Sequence, residues 1–375
     1  MSQYRITSAC FRTGFPLRSK PAANAGVRFT PQNQGRLMVE SNEWNETKEP
    51  PVEEGNDKRW IAGFWSRIFA LFLDSLLLGA IGFGLGLAFE SEFVEMGALG
   101  RTIGFAVALT YFGLMNSVIG KGQTLGKRIL DIRVVDASGS YISLSKSFAR
   151  YIIFAIPFLF NGADITSNAH LSYLIYPLSI IVFGGLFSIV YLYLFNRRTR
   201  QSLHDLVVGS YVVNSASSVE NVNSIWKVHL VISAATFVLA VILPIFTIGF
   251  ADSHPFNELL STQKALSGVP EVRLASVKSG KTIFSSTESG TQTSTYITVQ
   301  VYVKEQLIDD QEFAKELAEI VAKNFPDYQS KNVVQVILTY GFDIGIWSQW
   351  SNHNHTFKPE ELGQAASQNL TKTGS

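Results

Sequence analysis

The chain has 375 residues, of which 46% are apolar and only 16% are charged, whereas a soluble globular protein carries roughly 25% charged residues. This deficit of charge indicates contact with lipid. The net charge of +1 argues against the strongly basic surface of a nucleic-acid-binding protein, so any basic bias must be local. The single cysteine, Cys10, cannot form a disulfide bond within the chain.

The N-terminal segment, residues 1–59, is predicted to be disordered. Its first 39 residues contain six basic and no acidic residues, a composition that is also typical of organellar targeting segments. The favoured interpretation is an overextended start, with translation beginning at Met38 rather than Met1. No apolar segment follows these basic residues closely, so a secretory signal peptide is not predicted.

Four apolar runs approach the roughly 17 to 25 residues that a helix needs to cross about 30 Å of hydrocarbon. They are residues 64–89, 102–119, 173–195 and 228–251. A fifth run, residues 148–160, is shorter, and its length alone suggests a partial span or an interfacial helix.

The distribution of basic residues predicts the topology, because short cytoplasmic loops collect lysine and arginine. Lys58 and Arg59 precede the first run, and residues 121–150 and 197–200 are also basic. All three regions lie on one side only if the 148–160 run also crosses, which predicts five spans. Four spans and a surface helix are the alternative. Five spans place the N-terminus in the cytoplasm and the region from residue 252 outside it.

Three further stretches carry a recognisable pattern. The first runs from Arg67 to Asp74 at the opening of the first apolar run. The second contains Gly122, Gly126 and Lys127 and continues to Arg150. The third includes the following residues: His204, Asp205, Gly209 and the strand-like segment 211–213.

In their order and spacing these stretches resemble the RDD family of integral membrane proteins, over residues of about 60–215. The resemblance implies that Arg67, Asp74 and Asp205 are the three residues of the family name. It also implies a membrane-embedded helical domain, and members of this family have been suspected of transport.

Asp74 lies about ten residues into an apolar helix, where an uncompensated carboxylate costs several kcal/mol, so it is expected to be paired, protonated or turned towards a polar interior. Arg67 lies on nearly the same helix face but about 10 Å away along the axis, which is too far for a comfortable ion pair. Asp205 is therefore the expected partner of Arg67. The alternative is that Arg67 reaches lipid phosphates and Asp205 caps a short helix.

Gly122, Gly126, Lys127, Arg150 and His204 are expected to support this polar site. The Gly-Lys spacing does not match a phosphate-binding loop, so the basic residues are instead expected to meet anionic lipid headgroups on the cytoplasmic side. Residues 129–135 alternate in polarity and predict a half-buried strand that pairs with residues 141–144 as a small cytoplasmic β-hairpin.

The C-terminal residues 252–375 predict an extracytoplasmic α+β module with a disordered tail, preceded by an additional transmembrane helix at 226–251. Strands are expected at 282–286, 296–303 and 333–338, and a helix at 313–325. His353 and His355 form a close pair, but no cysteine or clear acidic partner accompanies them, so a solvated tail is favoured over a metal site.

The predicted fold class is a mainly α transmembrane bundle with a small cytoplasmic β-hairpin and a C-terminal α+β module. Enzyme motifs are not recognised, and no cofactor or metal is expected. The leading hypothesis is transport of ions or small solutes through Arg67, Asp74 and Asp205, with Asp74 as the responsive carboxylate. The alternative is a scaffold or sensor that anchors a partner-binding outer module.

The expected partner is the lipid bilayer, with its anionic headgroups at the cytoplasmic face. A protein bound by the C-terminal module and further copies of the chain are additional candidate partners, and no nucleic acid is expected. The expected location is the bacterial inner membrane, with an organellar membrane as the alternative.

Overall fold

The computed structural model describes residues 60–162, 173–217, 224–251, 253, 256–286 and 290–362. The predicted disordered N-terminal segment and the predicted disordered tail after residue 362 lie outside these residues. The N-terminal half is helical and the C-terminal half combines helices with a four-stranded sheet. The elements of the first half are α1 (Phe64–Ala88), α2 (Glu90–Met96), α3 (Arg101–Met115), α4 (Leu125–Ile129), β1 (Ile132–Asp136), α5 (Leu144–Phe160), α6 (Ile175–Phe195), α7 (Leu203–Val208), β2 (Ser210–Asn214) and α8 (Lys227–Ala251).

Four of the described helices are long and apolar enough to cross a membrane. They are α1 (Phe64–Ala88), the continuous helical segment Glu90–Met115 that contains α2 and α3, α6 (Ile175–Phe195) and the part of α8 from Lys227 to Phe246. Most side chains on these helices are not buried inside the protein, as expected for helices whose surroundings are lipid. The predicted membrane helical part is therefore confirmed at the level of several apolar helices.

The fifth helix, α5, has 17 residues and contains Pro157. Near its start, Arg150 contacts Asp205, which lies just after the C-terminal end of α6. At its other end, the carbonyl oxygen of Asn161 accepts a hydrogen bond from Arg101 at the start of α3. Helix α5 therefore runs the length of the bundle between α3 and α6.

The bundle has two chemically different ends. We call the end where α1 begins and α3 finishes the basic end, because Arg67, Lys127 and Arg150 lie there. The opposite end, where α1 finishes and α3 begins, contacts the C-terminal region and is called the module end. Helix α8 begins beside the last turns of α6, where His229 hydrogen-bonds Tyr191, and so also ends at the module end.

The small sheet at the basic end differs from the predicted hairpin. Strand β1 pairs antiparallel with β2, in a register that places Ile132 opposite Asn214 and Asp136 opposite Ser210. The prediction that residues 141–144 form the partner strand is wrong, because residues 141–143 lack regular secondary structure and Leu144 opens α5. The buried side chains of Val134 and Val212 hold the sheet against the start of α1.

The C-terminal module contains α9 (Phe256–Ser267), β3 (Val272–Ser286), β4 (Gly290–Val303), α10 (Gln311–Asn324), β5 (Val333–Asp343) and β6 (Ser348–Phe357). The sheet order is β3-β4-β5-β6. Strands β4 and β5 are parallel and are joined through α10, whereas the other two pairs are antiparallel. Apolar side chains of the sheet, α9 and α10 form one buried core, so the predicted α+β module is present.

Helix α9 and strand β6 were not predicted. The prediction of a solvated tail at the histidine pair is wrong, because His353 and His355 lie in β6 and stack with ring centroids 4.5 Å apart. His353 contacts Asp309, and the ring of His355 hydrogen-bonds the carbonyl oxygen of Ile308. Both histidines therefore connect the edge of the sheet to the loop that leads into α10.

The turn between β5 and β6 joins the module to the bundle. We call residues 343–347 the hairpin tip. Its Ile344 and Ile346 pack among α1, α2 and α3, and Asp343 forms an ion pair with Arg101 at 2.8 Å. The backbones approach so closely that a Cβ atom at Gly104 would lie 1.8 Å from the carbonyl oxygen of Ile344.

We predict that Gly104→Leu displaces the hairpin tip and lowers the midpoint of thermal unfolding in detergent, because an added side chain there must overlap backbone atoms. The expected loss is about 1 to 3 kcal/mol. The matched control is Gly84→Leu in α1, where a Cβ atom would meet nothing within 4 Å. Equal stability of the two variants would contradict the close packing of tip and bundle.

Candidate functional site

The turn before α7 positions the central carboxylate of the site. Ser202 is the N-cap of α7 and Asp205 occupies the third helical position, so the two residues form a reciprocal capping box. Gly209 ends the helix in a left-handed conformation with φ of 67°. This short helix holds Asp205 at the basic end with only 1% of its surface exposed.

Asp205 connects three helices. Arg150 of α5 donates to its Oδ1 at 2.8 Å through Nε and lies 2.7 Å away through Nη2. Arg67 of α1 approaches Oδ2 at 3.8 Å and also donates to the carbonyl oxygens of Arg200 and Val212. The expected contact between Arg67 and Asp205 is therefore present. Asp205 also caps the short helix α7, which the sequence analysis gave as its alternative role.

The charges around Asp205 keep it ionised. Burial raises the pKa of the Asp205 carboxyl, but Arg150 and Arg67 outweigh burial and hold that pKa below its ordinary value. Arg150 contributes more than Arg67, consistent with its shorter distance. The buried network thus combines one ionised carboxylate with two guanidinium groups.

His204 lies beside this network. Its Nε2 is 3.6 Å from Asp205, and its ring meets Phe154 edge-on at 5.3 Å. Burial lowers the pKa of His204 to about 3, and Asp205 opposes this shift only in part because Arg150 and Arg67 are also close. Its Nδ1 has no hydrogen-bond partner among the described residues. His204 is therefore neutral at physiological pH.

Asp74 is bound by a separate set of groups. Its carboxylate accepts hydrogen bonds from the Tyr111 hydroxyl at 2.8 Å, the Thr124 hydroxyl at 2.5 Å and the Gly126 amide at 2.8 Å. Thr124 is the N-cap of α4, so Asp74 also fixes the start of that helix. Asp74 is turned to a polar interior, and its partners are hydroxyl and amide donors instead of Arg67.

The glycine at position 126 makes this arrangement possible. A Cβ atom there would lie 2.1 Å from the carbonyl oxygen of Ala70 in α1. Only glycine lets the start of α4 approach α1 closely enough for its amide to reach Asp74. Gly122 has a different role, because its φ of 68° and its contact with the backbone of Val134 shape the turn that precedes α4.

Lys127 is buried close to both carboxylates. Its Nζ donates to Asn116 Oδ1 at 2.5 Å, and only 9% of the residue is exposed. Burial, reinforced by the charge of Arg150, lowers the pKa of Lys127 from 10.5 to about 7, whereas Asp74 and Asp205 act in the opposite direction. The ammonium group is therefore incompletely compensated by the protein.

Three cavities follow one another through the bundle. The mouth cavity, of about 440 Å³, lies at the basic end and is lined by Arg67, Arg197 and Arg200 among others. The inner cavity, of about 350 Å³, contains both the Asp205 network and Asp74. The outer cavity, of about 250 Å³, lies at the module end beside Arg101 and Asp343.

Neighbouring cavities share lining residues. Phe64, Arg67, Tyr193 and Leu194 line both the mouth and inner cavities, and the inner and outer cavities share Tyr151 and Phe158. These two sets of side chains separate the cavities from one another.

The expected site residues thus divide into two groups. Arg67, Arg150, His204 and Asp205 come together in one network, and Gly126 binds Asp74 in the other. Lys127 lines the inner cavity together with Asp74 and Asp205. Sequence analysis missed the following partners: Tyr111, Asn116 and Thr124. Only Thr124 carried a local signal, because a threonine before Leu-Gly-Lys-Arg suits a helix N-cap.

Part of the helical half of the chain matches a known family. Residues 61–209 match the RDD family. Two relatives from Bacillus subtilis are similar to this chain, "Uncharacterized protein YckC" and "Uncharacterized protein YxaI". The first is 24% identical over 44% of this chain and 91% of its own length, and the second is 28% identical over 25% of this chain and 76% of its own length.

We predict that Asp205→Asn lowers the free energy of unfolding by about 3 to 5 kcal/mol, because Arg67 and Arg150 would remain buried without a counter-charge. Denaturant unfolding in detergent micelles measures this loss. The control is Asp343→Asn, whose partner Arg101 is 35% exposed, for which about 0 to 1 kcal/mol is expected. A loss no larger than in the control would contradict a charged network at Asp205.

We also predict a pH dependence that originates at His204. The unfolded chain binds a proton at this residue below about pH 6.5, whereas the folded chain does so only near pH 3. Stability should therefore fall as the pH drops from 6.5 towards 3, by at most about 1.4 kcal/mol per pH unit. In thermal unfolding, His204→Gln should flatten this slope and His353→Gln should not. An unchanged slope in His204→Gln would refute the assignment.

Proposed function

Because residues 61–209 match the RDD family, we propose that this multi-pass membrane protein is of transport type and moves an anionic solute through the mouth, inner and outer cavities. The observation that carries this proposal is the succession of three cavities from one end of the bundle to the other, with shared residues between neighbours. Transporters commonly bind their substrates between the helices of a bundle.

The topology that we propose has five crossings. Helix α5 connects the Asp205 network to Arg101, so it covers the same length of bundle as α3 beside it. With five crossings the basic end faces the cytoplasm, as the clustering of arginines and lysines favours. The C-terminal module then lies on the opposite side of the membrane.

The charge of the lining residues favours an anion. Arg67, Arg197 and Arg200 line the mouth cavity, and no acidic residue is among its described lining residues. In the inner cavity Arg67 and Arg150 balance Asp74 and Asp205, and the ammonium form of Lys127 adds one further positive charge. Fixed positive charge in a cavity of low dielectric constant raises the local concentration of anions.

The two carboxylates have different roles in this proposal. Asp205 and Arg67 form the gate between mouth and inner cavities, because Arg67 lines both and Asp205 holds it. Asp74 is a positioning residue that keeps α4 against α1, because its three donors satisfy it. This role replaces the earlier hypothesis of Asp74 as the proton- or cation-responsive group.

A scaffold or sensor is the second candidate function. The close contact of the hairpin tip with α1 and α3 favours it, because this contact fixes the module to the bundle. In a scaffold the cavities would remain sealed, and only the outer module would bind a partner.

Cysteine accessibility separates the two functions. Cys10→Ser gives a chain without cysteine. Single cysteines are then introduced at Tyr193, between the mouth and inner cavities, and at Phe158, between the inner and outer cavities. The control is Leu239→Cys, on the lipid-facing side of α8, where the residue is 64% exposed. Labelling uses a negatively charged, membrane-impermeant thiosulfonate, applied separately to inside-out and right-side-out vesicles.

For a transport path we expect Tyr193→Cys to react from the basic side, Phe158→Cys to react from both sides, and Leu239→Cys to react from neither. A gel shift with maleimide-polyethylene glycol reads out the remaining thiols. Failure of Phe158→Cys to react from either side would contradict the transport proposal and support the scaffold.

A further inference from the structure

We propose that the inner cavity is a binding site for an anionic phospholipid, whose phosphate lies among Arg67, Lys127 and Arg150 and whose acyl chain lies between α1 and α6. That this lipid is also the transported molecule rests on the proposed function. Binding of the lipid does not.

The walls of the inner cavity suit an acyl chain. Apolar side chains from three helices line it, including Ile68 and Leu71 of α1, Phe154 of α5, and Ile189 and Val190 of α6. An acyl chain against such walls stays in surroundings as apolar as the bilayer that it leaves. A small inorganic anion would leave this apolar surface unused.

The cavity opens towards the hydrocarbon of the membrane. Leu71, Val190 and Leu194 line it and are nevertheless 40%, 51% and 48% exposed. All three belong to helices that are long and apolar enough to span a membrane, so their exposed surfaces face lipid tails. An acyl chain can therefore enter sideways between α1 and α6 without crossing water.

The polar end of the cavity has cationic groups that the protein leaves partly uncompensated. The Asp205 carboxylate is shared by Arg150 and Arg67, and Asp74 is already bound by three other donors. The Nε of Arg67 is buried and has no hydrogen-bond partner among the described residues, although only 8% of the residue is exposed. A phosphate oxygen is the acceptor that a guanidinium group binds best.

Lys127 provides a third cation at the same end. Its Nζ is buried and donates a hydrogen bond to the neutral side-chain oxygen of Asn116. The charged groups acting on it are Arg150, Asp74, Asp205 and Arg67, and the net result of burial and charge is a lowered pKa. A phosphate in the cavity would restore the ammonium form, because an opposite charge nearby favours ionisation.

The depth of these cations matches a lipid headgroup. Arg67 lies three residues after the first residue of α1, about 5 Å along the helix axis. This is the level at which basic side chains near the end of a spanning helix meet lipid phosphates. The cavity therefore places its charge at one surface of the bilayer and its apolar walls in the hydrocarbon.

The test uses the full chain purified in a mild detergent and examined by native mass spectrometry after addition of phosphatidylglycerol. Phosphatidylcholine with the same acyl chains and inorganic phosphate are tested in parallel. We expect one phosphatidylglycerol to be retained, and both alternatives to bind at least about fivefold more weakly, as the difference of about one favourable charge contact predicts. Equal retention of inorganic phosphate and phosphatidylglycerol would overturn the lipid assignment.

Two variants identify the cavity as the site. Lys127→Met removes one cation with little change of volume, and should weaken retention about fivefold. Its control is Lys146→Met, which removes an exposed lysine near the start of α5. Val190→Trp should fill the cavity without altering charge and abolish retention, whereas Val231→Trp, at a 67% exposed position on α8, should not. Thermal unfolding establishes that each variant is folded.

Retention that is unchanged in both Lys127→Met and Val190→Trp would place the lipid outside the cavity and overturn the proposal. Translocation is measured separately, by dithionite quenching of fluorescent phosphatidylglycerol in proteoliposomes. Specific retention without translocation would support the site while contradicting lipid transport as the function.

Discussion

A charged carboxylate that is removed from water must be compensated by nearby groups, and the basic end of this protein is built around that constraint. Asp205 is almost fully buried, and its compensating cations come from α5 and α1, while its own helix follows α6. The network therefore joins α1, α5 and the short helix that follows α6. It also orients Arg67 towards two cavities, which links the stability of the bundle to the proposed gate.

Asp74 satisfies the same constraint in another way. Its compensation comes from two hydroxyl groups and one amide, all of them neutral donors, and the amide belongs to the first turn of α4. The partial positive charge at a helix start adds to these hydrogen bonds. The two buried carboxylates therefore have different roles. Asp205 forms ion pairs with Arg67 and Arg150, whereas Asp74 holds the start of α4 by hydrogen bonds. This difference explains why Asp205 is the better candidate for a gate.

The module end depends on shape instead of charge. Glycines on α1 and α3 leave a narrow space between the helices, and the hairpin tip fills it with Ile344 and Ile346. The ion pair of Arg101 with Asp343 is partly exposed and contributes less than this packing. Since the tip also borders the outer cavity, any movement of the C-terminal module would alter that cavity directly. The contact between the hairpin tip and the bundle therefore both stabilises the fold and shapes the outer cavity of the proposed path.

The sequence by itself determined the membrane helices, the α+β character of the C-terminal part and the family pattern of Arg67, Asp74 and Asp205. These features follow from local composition and periodicity, which depend on residues a few positions apart. Only the tertiary structure decided which strands pair and which side chains contact one another. Strand β1 pairs with β2, some 78 residues later, because the bundle brings the ends of α3 and α6 to the same side. Tyr111 and Thr124 reach Asp74, and the hairpin tip reaches Gly104, for the same reason: such contacts require backbones to approach in space, and periodicity along the chain carries no information about that approach.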